Sequence, residues 1–433
     1  MSERWGFETR QVHAGTAPDP ATGARAVPIY QTTSYVFRDS AHAAALFDMQ
    51  ELGYIYTRIA NPTQSAFEDR VAALEGGIAA LAVASGQAAS AYSVLNLTQA
   101  SDHIVSSASL YGGTYNLFHH RLPSLGIAVT LLDDPDDLDA WRAAIRPETK
   151  ACFGETIGNP RGDVLDIAAV AEVAHAAGVP LIVDNTLASP WLCRPFEWGA
   201  DVVVHSATKY LGGHGTSIGG VIVDGGRFDW STGGRFPLLC QPDPSYHGFN
   251  YHETFGPAAY IARARAVMLR DLGAAIAPHN AFYFLQGVET LSLRMERHVE
   301  NTLAVARWLE QRPEVSWINY PGLASSPWHR RAQHYLPRGA GAVLSLGIEG
   351  GSEAGRAFVD ALRLFSHLVN VGDVRSLASH PASTTHRQMS AEEQLASGIT
   401  PDLVRLSIGI ETLDDILDDL DQAFAASQAQ PAA

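Results

Sequence analysis

The sequence predicts a two-domain α/β protein: a mostly parallel, seven-stranded sheet with helices on both faces, followed by a smaller α+β domain. Three observations carry that expectation. Seven short apolar runs between residues 61 and 225 alternate with segments of helical spacing. From about residue 281 the pattern changes to a looser mixture of strands and helices. The length, 433 residues, exceeds what one hydrophobic core usually encloses.

Taken in order, residues 1–60 are polar and turn-rich and form an N-terminal segment of their own. The apolar runs are IAALAVAS (78–85), HIVSS (103–107), IAVTLL (127–132), ACFGE (151–155), VPLIVDN (179–185), DVVVHS (201–206) and GGVIVDG (219–225). Each is strand-length and rich in β-branched or small apolar residues. DIAAVAEVAHAAG (166–178) has helical spacing and a glycine stop. Strands alternating with helices favour right-handed crossovers and a sheet covered on both sides. Residues 226–260 are rich in Gly, Pro and aromatics and read as a long insertion or loop. A helical pattern from about 280 to 311 is long enough to bridge two domains. Beyond it, AVLSLGIEG and LVRLSIGIE read as strands, EAGRAFVDALRLF and LDDILDDLDQAFAAS as helices, and the closing QAQPAA as disordered. The expected division is thus 1–60, 61–280 and 281–433.

Charge and cysteine usage exclude several functions. The net charge of −16 offers no basic footprint for nucleic acid or an anionic membrane. Three scattered cysteines make no disulfide framework and no C-x-x-C pair. MSERWGFETR lacks the apolar core of a signal peptide, and no apolar run reaches about 18 residues. A reducing, cytoplasmic compartment is expected. The histidines lack H-E-x-x-H or nearby cysteines, so no metal site is expected.

The chain has 28 arginines but two lysines, Lys150 and Lys209. Lysine forms imines and arginine does not, so a lysine retained amid buried-looking sequence raises the case for amine chemistry. Lys150, in RPETK, reads as an exposed loop residue. Lys209, in VVVHSATKYLGG, follows Asp184 of LIVDNT by 25 residues. Both lie just past β-branched strands, at the sheet edge where α/β proteins bind ligands. An aspartate can keep a pyridinium nitrogen protonated while a lysine supplies an imine, which is what pyridoxal 5'-phosphate requires. The plainer alternative is a helix-capping aspartate and a solvated loop lysine. The turn in ALAVASGQAASAY places Gly86 and Gln87 at a helix start suited to phosphate, and Ser206 and Thr208 offer hydroxyls. Two hydrolase motifs compete. GTSIG (215–219) has a strand after Ser217 instead of before it, and Ser206-Ala-Thr-Lys209 lacks the S-D-N and K-T-G companions.

With these residues in view, the chain resembles the Cys/Met-metabolism family of fold-type I pyridoxal-phosphate enzymes. The resemblance is carried nearly end to end by ETRQVHAG, VPIYQTTSYVF, YTRIANPT, SGQAA, LYGGTYNLF, ETIGNP, VDNTLASP, VVVHSATKYLGGHG, VRSLASHPASTTH and LVRLSIGIE. It implies that Lys209 is the Schiff-base lysine, Asp184 the partner of the pyridine nitrogen, and Tyr111 the ring stacked on the cofactor. Gly86, Gln87, Ser206 and Thr208 would hold the phosphate. Tyr56 and Arg58 would reach the phosphate of a neighbouring subunit in a homo-oligomer, a tetramer built of dimer pairs. Asn159 would lie by the cofactor's phenolic oxygen and near the substrate. Arg405 and Ser376 would bind the substrate's α-carboxylate. Relatives that act as γ-lyases usually show Cys where this chain has Gly113. The insertion resembles that of sulfhydrylases more than that of cystathionine synthases or lyases. The implied reaction is therefore γ-replacement of acetate in O-acetyl-L-homoserine by sulfide or a thiol, with γ-elimination or cystathionine synthesis as the alternatives.

Overall fold

The computed structural model describes residues 4–384, 387, 392, 394 and 398–429. Seven strands form the larger sheet: β1 (Ala79–Val83), β2 (His103–Ser107), β3 (Ala128–Leu132), β4 (Thr149–Glu155), β5 (Leu181–Asp184), β6 (Val202–Ser206) and β7 (Gly220–Asp224). Their order is β1-β7-β6-β5-β4-β2-β3. β7 runs antiparallel to β1 and β6, and the other pairs are parallel. All seven coincide with the apolar runs of the sequence. Alternate side chains face opposite sides of a strand. Val183, Val203, Val221 and Val223 enter one hydrophobic core, whereas Ile182, Val202, Val204 and Ile222 enter another on the opposite face. A sheet buried on both sides explains why its strands read as continuous apolar runs.

The helix Ile167–Ala176 begins where the sequence places it. The Asp166 carboxylate accepts the Ala169 N–H (3.2 Å), and Gly178 follows the C-terminus at φ +68°.

Four expectations need correction. Residues 226–260 are not a loose loop. Trp230, Phe236, Leu239, Tyr251 and Tyr260 are buried on the same face as Ile182 and Val204, and Trp230 stacks on Tyr260 with ring centroids 5.1 Å apart. The glycines and prolines break the segment into short helices, so its aromatics show no period.

The long helix is two helices, Pro278–Val288 and Leu291–Leu309. Arg294 Nη2 donates to the Gly287 carbonyl (2.6 Å) and its Nε to Thr290 Oγ1 (3.3 Å), capping the first helix end from within the second. The backbone at Gly287 also packs directly on the Leu211 and Gly212 carbonyls, leaving no room for a side chain.

Lys150 is not an exposed loop residue but is buried within β4, where the register against β2 slips. Its Nζ donates to the Arg235 carbonyl (2.6 Å) and pairs with Asp102 (3.3 Å). Both partners are remote in sequence, so the run appeared to start only at Ala151.

Finally, the C-terminal helix runs Leu413–Ala429, into the tail expected to be disordered; residues 430–433 lie outside the described residues.

The smaller sheet contains β8 (Val315–Asn319), β9 (Val343–Ile348), β10 (Ser366–His367), β11 (Leu377–Ser379) and β12 (Leu403–Ser407), ordered β10-β11-β12-β9-β8. The helix Gly351–Ala361 packs on it, and Leu413–Ala429 packs on that helix, with the Phe358 and Phe424 ring centroids 4.4 Å apart and Val359, Ile416 and Leu420 in the same core. The segment before residue 61 holds two helices, Phe7–His13 and Ser40–Phe47, and otherwise irregular chain. Gln11 ties it to Ser292 by reciprocal hydrogen bonds of 2.9 and 3.1 Å. Among the described residues, no helix is long and apolar enough to cross a membrane.

Candidate active site

β4, β5 and β6 end side by side, and their carboxyl ends carry the site. Register sets Glu155 opposite Asp184. The turn after β6 is wound tightly: Lys209 N–H donates to the Ser206 carbonyl (3.2 Å), and Gly213 N–H to the Lys209 carbonyl (2.7 Å). Ala207 and Tyr210 are buried on either side of Lys209, which is itself half-buried. Its Nζ donates to Asn370 Oδ1.

Arg405 sits mid-strand in β12 and is buried. Its Nη2 donates to the Val369 carbonyl (2.9 Å) and its Nη1 makes a long bond to Asn159 Oδ1 (3.4 Å). Burial pushes the Lys209 amine down to about 8, and the Arg405 guanidinium pushes it the same way. Such an amine is neutral in an appreciable fraction near neutrality, as a nucleophile or base must be. Arg405 is lowered to about 10 by its own burial and remains charged.

Asp184 is half-buried, and its Oδ1 accepts the Thr186 N–H (2.9 Å). Burial raises its pKa, while Thr186 and the nearby His205 act to lower it. A buried polar chain locks the strands beneath. Thr156 Oγ1 donates to Asn185 Oδ1 (2.8 Å), Asn185 Nδ2 to Glu75 Oε1 (2.9 Å), and His205 Nε2 lies 2.5 Å from the same Glu75 oxygen. Thr156, Asn185 and His205 each follow or precede a strand-end residue, and Glu75 joins two of them, so the network fixes the spacing of the strand ends.

The helix Gly86–Leu95 points its N-terminus at this edge. Ser85 caps it by accepting the Ala88 N–H (3.1 Å), so the Gly86 and Gln87 amides are the ones left to an anion. Gly86 has a steric reason to be glycine, because a Cβ there would lie 2.5 Å from Ser206 Cβ and 2.8 Å from its Oγ. That contact sets Ser206 against the helix start. Thr208 faces elsewhere: its hydroxyl is bonded to the Gly219 carbonyl (3.2 Å) and N–H (3.1 Å). Gln87 Nε2 donates to the Gly113 carbonyl (3.1 Å).

Tyr111 is 53% exposed, and its N–H donates to Glu155 Oε1 (2.6 Å). Its ring is close enough to Arg405 for the two to interact electrostatically. Contacts and register thus link Lys209, Arg405, Asn159 and Tyr111 to the strand ends that carry Asp184 and Ser206, with Gly86 and Gln87 at the helix start beside them. The structure does not bring Ser376 there by its side chain, since that hydroxyl donates to Glu411 Oε2 (3.0 Å) and accepts the Gly409 N–H (2.9 Å). Tyr56 and Arg58 lie on the N-terminal segment, with the guanidinium 5.5 Å from the Tyr56 ring and bonded to the Arg270 carbonyl. Ser217 is in the loop ahead of β7, so no strand-to-helix elbow supports it. Sequence reasoning missed Asn370, which only tertiary packing brings to the lysine. It also gave Glu155 no role, although ETIGNP contains it.

A half-buried amine of weakened basicity, a carboxylate one strand away, an exposed aromatic ring and a helix N-terminus closed by Ser206 together fit pyridoxal 5'-phosphate. Fold and cleft define a pyridoxal-phosphate-dependent enzyme. The chain belongs to the family of Cys/Met metabolism PLP-dependent enzymes, whose profile matches residues 8–425. It is 54% identical over 426 residues to the O-acetyl-L-homoserine sulfhydrylase of Leptospira meyeri, covering 96% of each chain. It is also 54% identical over 422 residues to the homocysteine synthase of Schizosaccharomyces pombe, covering 96% of this chain and 98% of that one. Among solved structures, a Campylobacter jejuni protein described as an O-acetylhomoserine (thiol)-lyase superposes with a TM-score of 0.94 at 40% identity. That match covers 97% of this chain and 100% of the other, whose crystals hold a pyridoxyl-lysine 5'-monophosphate.

Proposed function

We propose that the chain catalyses γ-replacement on O-acetyl-L-homoserine, in which sulfide or methanethiol displaces acetate to give L-homocysteine or methionine. The observation that carries this reading is the cleft shared by Lys209 and Arg405, an amine lowered to about 8 beside a buried guanidinium, in a chain similar along nearly its whole length to sulfhydrylases.

When bound, pyridoxal phosphate supplies an electron-withdrawing ring joined to the substrate nitrogen, which weakens the C–H bonds at Cα and then Cβ. Lys209 would hold the cofactor, and its amine, when free, would take up and return the protons at those carbons. Asp184 would keep a proton on the ring nitrogen, and Tyr111, exposed and near Arg405, would cover the ring face. Gly86, Gln87 and Ser206 receive the phosphate, with Thr208 bracing the turn. Arg405 binds the α-carboxylate. Its 3.4 Å bond to Asn159 is the weak one of its pair and the one a carboxylate would replace. Acetate leaves Cγ and the sulfur nucleophile bonds to the same carbon, so the skeleton gains one C–S bond for one C–O bond lost.

The assignment extends to assembly. Tyr56 and Arg58 serve the phosphate of a neighbouring subunit in a homo-oligomer of dimer pairs. The reading is supported by large apolar side chains held out from the same segment, Val36 at 98% and Leu52 at 85% exposure.

Purified enzyme should be assayed with sulfide, methanethiol and cysteine as acceptors against acetyl-, succinyl- and phospho-homoserine. The highest kcat/KM is expected for acetyl donor with sulfide or methanethiol. Fastest turnover without any acceptor would make the enzyme a γ-lyase, and a preference for cysteine would make it a cystathionine synthase.

A further inference from the structure

We propose that Asn370 is a positioning residue for the Lys209 amine, its side-chain oxygen holding Nζ whenever that nitrogen is not bonded to the cofactor. The inference rests on the assignment of Lys209 as the cofactor lysine, and its test is arranged so that the two can fail separately.

The segment 369–374 joins β10 to β11 of the smaller sheet, yet it touches the lysine turn or its partner at four points. Asn370 Oδ1 accepts from Lys209 Nζ. The Val369 carbonyl accepts from Arg405 Nη2 (2.9 Å). The Val374 N–H donates to the Gly213 carbonyl (2.8 Å). Gly372, at φ +76°, lies so close that a Cβ would meet Lys209 Cβ and the Tyr210 nitrogen at 3.0 Å, and its N–H is tied to Ser407 Oγ (3.0 Å). The backbone on either side of Asn370 is therefore pinned to the turn or to Arg405. Asn370 is delivered to the amine by a fixed frame, which distinguishes it from a surface side chain passing by.

The residue type matters as much as the position. An amide oxygen accepts an N–H and orients the amine without adding charge. A carboxylate in its place would hold the ammonium form and oppose the burial and the Arg405 charge that keep the amine partly neutral. The other charged or titratable groups around this turn are Asp184 at the end of β5, Tyr111 beside Arg405, and Tyr210 next to the lysine. With them are Arg294, whose Nη1 donates to the Tyr210 carbonyl (2.8 Å), and His298, whose ring meets that of Tyr210. His214 is bonded to the Gly212 carbonyl (2.7 Å), and the Asp373 carboxylate pairs with Arg375 (3.0 Å). The handle for the substrate carboxylate, Arg405, and the handle for the amine, Asn370, meet on consecutive residues, 369 and 370. One backbone segment thus sets the distance between the substrate's carboxylate and the base that serves its Cα.

The test uses the full chain stripped of cofactor. Uptake of pyridoxal phosphate requires the neutral Nζ to attack the aldehyde with loss of water, so its rate against pH, read from visible absorbance, reports the amine's pKa. The native chain should show a midpoint near 8. N370D should raise that midpoint by roughly one to three units. N370A should leave it near the native value, and after reconstitution should lower kcat about two- to tenfold with an unchanged donor KM. A native midpoint in folded N370D would overturn the proposal. If N370D does not accumulate as folded protein, N370L decides instead: slowed uptake and lowered kcat support the proposal, and native rates overturn it. Borohydride fixation and peptide mapping check the underlying assignment independently, because label on Lys150, or no label, would remove Lys209 whatever Asn370 does.

Discussion

Glu155 and Asp184 are the last register pair of β4 and β5, two carboxyl groups set side by side at the edge of the sheet. Both cannot be charged there at modest cost. Burial pushes Glu155 well above its ordinary value, and the neighbouring Asp184 pushes it further. Asp184 is raised by burial too, but Thr186 and His205 pull it back. Of the two, Glu155 is pushed up by both burial and its neighbour while Asp184 has partners that favour its charge, so the pair is biased towards a proton on Glu155 and a charge on Asp184, where a pyridinium would be met.

That division predicts opposite outcomes for two conservative substitutions. E155Q keeps a neutral group whose oxygen can still accept the Tyr111 N–H, so cofactor absorbance and kcat should stay within a few-fold of native. D184N removes the charge that faces the ring nitrogen. It should retain cofactor but lose kcat by a factor on the order of 10² or more. Steady-state kinetics on both variants, with native kcat in D184N, would dissolve the assignment.

The same groups give the cofactor-free chain a pH signature. A carboxyl raised on folding favours the native state below its unfolded value, and that advantage is lost as pH climbs from 4.5 towards the folded value. Buried His103 and His298 act in the other direction. Both are pushed by burial from 6.5 down to about 4, so stability falls as pH drops through that interval. Thermal midpoints across these pH values should therefore rise less steeply from pH 4.5 to 6.5 in the native chain than in E155Q. Identical slopes would show Glu155 to be ionised in the fold.

The two lysines make a matched pair of tests. K209R cannot form an imine, so the purified variant should be colourless and lack all but a trace of turnover. K150M should keep both colour and activity while losing stability by roughly 1–3 kcal/mol, because Asp102 and the Arg235 carbonyl lose their buried donor. Full activity in K209R, measured with the cofactor supplied, would refute the cofactor assignment.

How far the sequence spoke depended on where the information lay. The strands of the larger sheet were legible because, apart from the edge strand β3, they are buried almost throughout, so each run is dominated by apolar residues. β8 and β10 were not, since β8 is only partly buried and β10 spans two residues. The helix break near Glu289 and the burial of Lys150 escaped because Gly212, Asp102 and Arg235 act on them from a distance in sequence, and the local cap by Arg294 carries no motif signal. Asp184 and Lys209 were visible as polar residues ending β-branched strands. Asn370 was not, since 161 residues separate it from the amine it touches and HLVNVGD carries no periodic or motif signal.

Gly113 offers a test of local geometry. A Cβ there would lie 2.5 Å from Tyr111 Cε1 and 2.9 Å from Gln87 Oε1. G113C should therefore push the Tyr111 ring off its seat and disturb Gln87, weakening cofactor retention and lowering kcat by up to about a hundredfold for a shift near 1 Å. Equilibrium dialysis of the cofactor, with kinetics alongside, reads both effects. Native values would mean that the ring has room to move without consequence.

The shared-site reading can be tested without a structure of the assembly. If Arg58 of one subunit serves the phosphate held by another, a site needs an intact residue 58 from one chain and an intact Lys209 from the other. R58A and K209R should each be nearly inactive alone. Mixed under conditions that allow subunit exchange, about half the dimers become hybrids, and each hybrid holds one site with both lesions and one with neither. Activity should then recover to roughly a quarter of native, with the cofactor bound only by the R58A subunits. Exchange verified by mass, but with no recovery, would confine Tyr56 and Arg58 to their own chain, where the guanidinium already holds the Arg270 carbonyl.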